Sequence, residues 1–271
     1  MENTLPLLGG TCGHKEGEQR KTALVIGSGP AGLASAWELY RHGFSVTVAE
    51  RESEFGGALR LISDRRLDKA HLCKVIQDFA DCGITFETNT PINLQNIGEI
   101  QKSFDYIIVA TGTWSSKCLD IEGEKFALNA LDYLKTQPTA KKTMVIGGGN
   151  VAIDCAVEAV RRGGSAIVCY RKTEQYLKAE QCEIDHAKKV GVEFEFEMIP
   201  LEITSEGVHF DKKFIPCEQV VIAVGQFSDL PDGIEKYSNI IVVGDAVTGA
   251  SSVVQSVLHA KACVRALLKS L

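Results

Sequence analysis

The chain has 271 residues, 45% hydrophobic and 24% charged, with a net charge of −6. That is enough polypeptide for one large domain or two modest ones, each with its own core, and the acidic balance argues against nucleic acid or an anionic membrane as the main partner. No apolar run is long enough to span a bilayer and the start lacks the basic-then-apolar pattern of a secretory signal, so a cytoplasmic protein is expected.

Residues 1–20 are polar and glycine-bearing and read as a flexible or docking tail. A buried strand is predicted over 23–26. The helix that follows starts at Pro30, whose missing N–H is harmless in a first turn, and runs to about 42, where Gly43 ends it. A strand over 45–49 comes next. Leu67, Leu72, Val75, Ile76 and Phe79 recur at helical spacing, predicting a helix over 67–82 stopped by Gly83, with strands over 84–87 and 106–109. The pattern then restarts: strand 143–146, helix 150–162, strand 166–170, helix 179–190, strand 192–197. Alternating apolar residues over 203–214 around Gly207 suit a hairpin, strands follow at 220–224 and 240–243, and a helix over 252–268 closes the chain. Strands alternating with helices predict an α/β fold with parallel sheets.

The nine cysteines are odd in number and irregular in spacing. Cys155, Cys169 and Cys263 fall in apolar patterns and are expected to be buried. Cys12, in the tail, is expected to be the most exposed. No C-x-x-C occurs, which excludes the dithiol centre of a thioredoxin reductase and the usual spacing of zinc or iron–sulfur ligands, so no metal site is expected.

The chemistry concentrates in one device that occurs twice, 120 residues apart. VIGSGPAG over 25–32 is repeated as VIGGGNVA over 145–152, and 41–51 aligns without a gap on 161–171. A strand that turns into a helix through G-x-G-x-x-G aims free N–H groups and the positive end of the helix dipole at one spot, where a pyrophosphate satisfies both. In the first copy Gly27 makes the tight turn, Gly29 lets phosphate approach and Gly32 lets helix pack on strand. Glu50, 23 residues after Gly27, is placed to accept hydrogen bonds from an adenosine ribose. In the second copy, Gly147 and Gly149 remain and Ala152 replaces the third glycine. The position of Glu50 is taken by Tyr170, followed by Arg171 and Lys172. Loss of the acid and gain of two cations favour a 2′-phosphate, hence NADP(H) over NAD(H). Arg161 and Arg162 are explained by the negative end of their own helix dipole. Two dinucleotide sites in one polypeptide are the architecture of a flavoprotein reductase.

The runs GGGNVAIDCAVEAVRRGGSAIVCYRK, KAEQCEIDHAKKVGVEFEFE and IIVVGDAVTGASSVVQSVLHAK resemble the small (beta) subunit family of glutamate synthase, which also includes the FAD/NADPH portion of dihydropyrimidine dehydrogenase. The similarity runs from about residue 20 to the C-terminus. It implies two Rossmann-like domains, with an FAD-binding domain (21–115 and 227–271) split by an inserted NADP(H)-binding domain (116–226). Carried over by position, the FAD set comprises Gly27, Gly29, Pro30, Ala31, Gly32, Glu50, Arg51, Gly57, Thr111, Gly112, Gly244, Asp245, Ser252 and Val253. Asp245 would accept from the ribityl hydroxyls, and the helix beginning near Ser252 would aim its N–H groups at the flavin. The NADP(H) set comprises Gly147, Gly149, Asn150, Val151, Ala152, Tyr170, Arg171 and Lys172.

The resemblance implies hydride transfer from nicotinamide C4 to flavin N5. The cofactors supply the reactivity and no side-chain acid or base is required, so no catalytic residue is named. His14, His42, His71, His186, His209 and His259 form no recognisable constellation. Two departures stand out: only about 20 residues, with one cysteine, precede the first loop where the family carries an iron–sulfur domain, and ALRLISD follows Gly57 where the family has an R-Y-G-I-P-like segment. Electrons are therefore expected to pass to a separate partner bearing iron–sulfur or flavin. A free-standing reductase of a small diffusible acceptor and a weakly active FAD-binding regulatory or structural subunit are the alternatives.

Overall fold

A computed structural model describes residues 20–271; the expectations for the tail before Arg20, and for Cys12 within it, lie outside the described residues. The chain divides into two compact units. Of the described residues, one comprises 20–60, Asp64–Thr113 and Ser228–Leu271; the other comprises Leu61–Ser63 and Trp114–Phe227.

In the first unit five parallel strands line up in the order Ile240–Val242, Tyr106–Val109, Thr22–Ile26, Ser45–Ala49, Thr85–Glu87. Side chains alternate across a strand, and the sequence supplies apolar residues at both parities, so both faces are buried. Leu24, Ile26, Ile107 and Val109 meet Ile97, Ile234 and Ile240 on one face, while Val25, Val48 and Ile108 occupy the alternate positions and are fully buried. The helix Pro30–Arg41, rich in alanine and glycine, is buried from Ala31 to Tyr40 and packs against Val253–Lys269. Trp37 stacks on Phe79 with ring centroids 4.7 Å apart, anchoring the helix Lys69–Cys82. That helix starts at Lys69 rather than at 67 because Asp68 accepts the Ala70 N–H (2.8 Å), and Gly83 ends it at φ +111°.

The second unit repeats the first. Its parallel sheet runs Leu128–Asn129, Gln219–Ala223, Lys142–Gly147, Ser165–Tyr170, Glu193–Phe196. The pairing Thr22↔Ser45, Val25↔Val48 of the first unit recurs as Lys142↔Ser165, Val145↔Val168, each residue shifted by 120. Val145, Val168 and Val221 face the helices Ala130–Thr136, Asn150–Arg161 and Gln181–Lys189. Met144, Ile146, Ile167 and Ile222 face a second, antiparallel sheet.

That sheet corrects the expected hairpin. Three strands are present, Pro200–Ile203, Gly207–Phe210 and Phe214–Pro216. The turns fall on the polar stretches 204–206 and 211–213, so Gly207 opens the middle strand instead of making the turn. The helix Ala130–Thr136 escaped the sequence reading because two turns are too short to display a period. Asn129 starts it by accepting the Asp132 N–H (2.9 Å). Cys155 and Cys169 are buried as expected, whereas Cys263 is half-buried. Burial pushes the Cys155 thiol well up and that of Cys169 up to about 12, so both stay protonated and inert. Among the described residues no helix is long and apolar enough to cross a membrane, and no group of three or more His, Cys, Asp or Glu is placed to hold a metal ion.

Candidate functional site

At the end of the strand Thr22–Ile26 the chain turns at Gly27 (φ +99°), whose N–H bonds Ala49 O at 2.8 Å. The three glycines of this loop do different work. A Cβ on Gly27 would lie 2.6 Å from Ala110 O, and one on Gly32 would lie 1.9 Å from Gly27 O, so both are closed against backbone. A Cβ on Gly29 would meet nothing within 4 Å. Gly29 also starts its helix with no side-chain cap, whereas Asp68, Asn129 and Ser252 each cap their own. Open space in front of an uncapped helix start, with first-turn N–H groups unspent, fits a phosphate.

Glu50 is buried and held from two sides. Its Oε2 accepts from Ser28 N (3.0 Å) and Ser28 Oγ (2.5 Å), and its Oε1 from Glu52 N (3.1 Å). A carboxylate offers about four acceptor positions, so roughly one remains for a ribose hydroxyl. Ser28 Oγ also accepts from Gly56 N (2.9 Å), and a Cβ on Gly57 (φ +51°) would come within 3.1 Å of Gly29 Cα. The Gly56–Gly57 turn is thus clamped onto the loop. Thr111 follows Ala110, whose carbonyl closes on Gly27, and Gly112 (φ +71°) lets the chain depart. Gly244 lies against Ala31, to which a Cβ would come within 2.5 Å. Gly27, Gly29, Ala31, Gly32, Glu50, Gly57, Thr111 and Gly244 therefore converge at one end of the sheet, with Pro30 in the same first turn.

Four members of that set, Arg51, Asp245, Ser252 and Val253, sit differently. Arg51 is exposed and pairs with Glu52 at 3.5 Å. Asp245 is half-buried, its carboxylate taken by Ser251 Oγ (2.5 Å) and Ser251 N (3.2 Å). Ser252 and Gln255 form a capping box, which spends the Ser252 and Gln255 N–H groups and leaves those of Val253 and Val254 as first-turn donors.

The second loop has the same skeleton. A Cβ on Gly147 would lie 2.3 Å from Ala223 O; one on Gly149 would meet nothing, and Gly149 too lacks a side-chain cap. Ala152 is fully buried at the third position and Val151 precedes it in the first turn of the helix. The difference lies at the partner residue. Glu50 holds Ser28 by hydrogen bonds, whereas its counterpart Tyr170 lays its ring where a Cβ on Gly148, the counterpart of Ser28, would be (2.6 Å). Tyr170 Oη donates to Tyr176 O (2.9 Å). The chain from 171 to 180 then folds back: Gly148 O accepts from Lys178 N (2.8 Å) and Ala179 N (3.1 Å), and Asn150 Oδ1 from Glu180 N (2.8 Å). Asn150 therefore pins this strap. Arg171 and Lys172 are exposed upon it, Lys172 Nζ lying 5.3 Å from the Tyr176 ring. Arg161 is spent on Glu158 in two hydrogen bonds, both 2.7 Å.

The model of one protein family, pyridine nucleotide-disulphide oxidoreductase, matches residues 21–243. The chain belongs to this family. It is an oxidoreductase, and FAD and NADPH are the cofactors of its family and relatives. It is 29% identical to the NADP(+)-dependent formate dehydrogenase subunit beta of Moorella thermoacetica over 86% of this chain and 39% of that protein. It is 30% identical to the glutamate synthase [NADPH] small chain of Azospirillum brasilense over 68% of this chain and 43% of that one. The chain thus spans less than half the length of these relatives. The fold superposes on thioredoxin reductase of T. acidophilum with a TM-score of 0.72 at 17% identity, covering 93% of this chain and 99% of that one.

Sequence reasoning passed over Ser28, Gly148 and the strap residues 173–177, and named His259 only among the scattered histidines. The first two carried a signal, because Ser28 changes to Gly148 between the repeats as Glu50 changes to Tyr170. The strap had little, since it is pinned mainly through its own backbone atoms at Tyr176, Lys178, Ala179 and Glu180.

Proposed function

We propose that the first loop holds the ADP half of FAD and the second holds NADP(H), and that the chain delivers electrons from NADPH to a separate iron–sulfur or flavin protein. The observation that carries this reading is the pair of uncapped helix starts at Gly29 and Gly149, each opening on free space, in one chain. The names of the two relatives, a beta subunit and a small chain, support delivery to a partner. When bound, the flavin supplies hydride acceptance from the nicotinamide and onward release of electrons.

The chain's own residues bind and orient. The first-turn amides beyond Gly29 hold the pyrophosphate of FAD, Glu50 takes a ribose hydroxyl at its remaining acceptor position, and Asp245 faces the ribityl chain. Gly57, Thr111 and Gly112 bound the same end of the sheet. At the second loop the amides beyond Gly149 hold the pyrophosphate, and Arg171 and Lys172 bind the 2′-phosphate with charge-assisted hydrogen bonds.

An anaerobic NADPH titration of the FAD-loaded protein tests the reading: the yellow colour bleaches within seconds. A protein that stays colourless after reconstitution, or yellow after NADPH, refutes it. Rapid reoxidation by small quinones with no partner present favours the free-standing reductase instead. Arg171→Ala raises the KM for NADPH about tenfold or more and leaves that for NADH near its starting value, one charge-assisted contact being worth roughly 1.5–3 kcal/mol. Equal effects on both nucleotides would show that Arg171 does not read the 2′-phosphate.

A further inference from the structure

The last ladder bond of the strand Ile240–Val242 is made one residue beyond it, by Val243 N to Val109 O at 2.9 Å. Gly244 then leaves the sheet with φ +65° and ψ −149°, a combination essentially confined to glycine, and starts the short helix Asp245–Thr248. Its surroundings are tight: a Cβ there would lie 2.5 Å from Ala31 Cβ and 2.8 Å from Ser256 Oγ. Off the ladder, the buried Gly244 N–H needs another acceptor. The Nδ1 of His259 provides it at 3.0 Å. An imidazole that accepts at Nδ1 carries its hydrogen on Nε2, which lies 3.8 Å from Cys263 Sγ one turn further along the helix. Burial pushes the Cys263 thiol up, so it meets the imidazole as a neutral group. The turn is therefore held at both ends, by His259 at Gly244 and by Ser251 at the Asp245 carboxylate.

We propose that His259 is a positioning residue of the flavin site: by fixing the Gly244 peptide it sets the direction in which Asp245 leaves the sheet and presents its carboxylate to the ribityl chain. This rests on the reading of the first loop as an FAD site. It makes no contact with cofactor and takes no part in hydride transfer.

The test compares His259→Asn, His259→Gln and His259→Leu in the full chain. Asn places Oδ1 as many bonds from the backbone as Nδ1 and keeps the acceptor; Gln carries its oxygen one carbon too far; Leu offers none. With FAD-free protein, hydrogen exchange of the Gly244 amide is slow in wild type and His259→Asn and fast in the other two. With FAD, the dissociation constant stays within about threefold of wild type for Asn and rises about tenfold for Gln and Leu, as expected when a redirected Asp245 loses one hydrogen bond from the ribityl chain. The KM for NADPH at saturating FAD is unchanged in all three, which a general loosening of the fold would not give. Gln keeps a polar side chain and supplies the comparison should Leu fail to fold. Wild-type exchange and affinity in His259→Leu or His259→Gln, or loss of both in His259→Asn, overturns the proposal. A wild-type protein that refuses FAD while Gly244 exchange still depends on His259 refutes the flavin reading and leaves the hold on the turn intact.

Discussion

Gly29→Ala separates the two kinds of work that glycine does in the first loop. Gly29 has φ −69° and ψ −174°, extended backbone that alanine adopts freely, and its added Cβ meets nothing within 4 Å. Alanine is a poorer helix start than glycine by roughly half a kcal/mol to 1 kcal/mol. The loss of freedom in the unfolded chain offsets that by about 0.4–1 kcal/mol. Stability of the FAD-free protein should therefore stay within about 1 kcal/mol of wild type. The methyl group, however, stands in the space where the pyrophosphate would meet the first-turn amides. A phosphate displaced from two charge-assisted bonds loses about 1.5–3 kcal/mol for each, so the dissociation constant for FAD should rise at least about 100-fold. Gly32→Ala is the control: its Cβ would fall 1.9 Å from Gly27 O, the helix must move off the strand, and stability should drop by about 1–3 kcal/mol or more. Thermal unfolding of the apoprotein and a flavin-fluorescence titration measure the two quantities. A Gly29→Ala variant that binds FAD as wild type does, or that unfolds like Gly32→Ala, would refute the assignment of Gly29 to the phosphate.

Gly148→Ser brings a Cβ within 2.6 Å of the Tyr170 ring and should lower stability by about 1–3 kcal/mol. Adding Tyr170→Ala should then cost less than it does alone in a double-mutant cycle of unfolding free energies, because the clash has gone; strictly additive losses would count against the contact. Tyr133 is fully buried, and burial, aided by Cys155 and Glu158, pushes its phenol up from 10.0 to about 12. The folded state favours the neutral phenol, so the associated stability is intact below pH 10 and is lost as the pH rises from 10 towards 12. Urea unfolding of wild type and Tyr133→Phe across that window should show the wild type losing stability faster; parallel curves would contradict the cause assigned.

The parallel α/β order, the duplication and the two glycine loops were legible in the sequence because each depends on short-range pattern. Apolar runs bounded by Gly43, Gly83 and Gly163 mark strands and helices, and a gapless match of 41–51 to 161–171, 120 residues on, places Glu50 opposite Tyr170. The glycine signature at 27, 29 and 32 also encodes the turn, since no other residue tolerates Gly27 and Gly32 where they sit. The antiparallel strands at 200–216 were only half visible, because alternation shows that a segment is extended but not which segment it pairs with.

Which glycine is open and which closed was decided by the tertiary fold, through Ala110 and Gly27 carbonyls that close on Gly27 and Gly32 and leave Gly29 free. The same holds for the Ser28 bridge between Glu50 and Gly56, the strap pinned by Asn150, and the imidazole that takes the Gly244 N–H. Each joins groups 15 or more residues apart along the chain through hydrogen bonds whose partners are chosen by distance in space. Local pattern fixes where a strand ends; only packing decides which acceptor awaits the first amide beyond it.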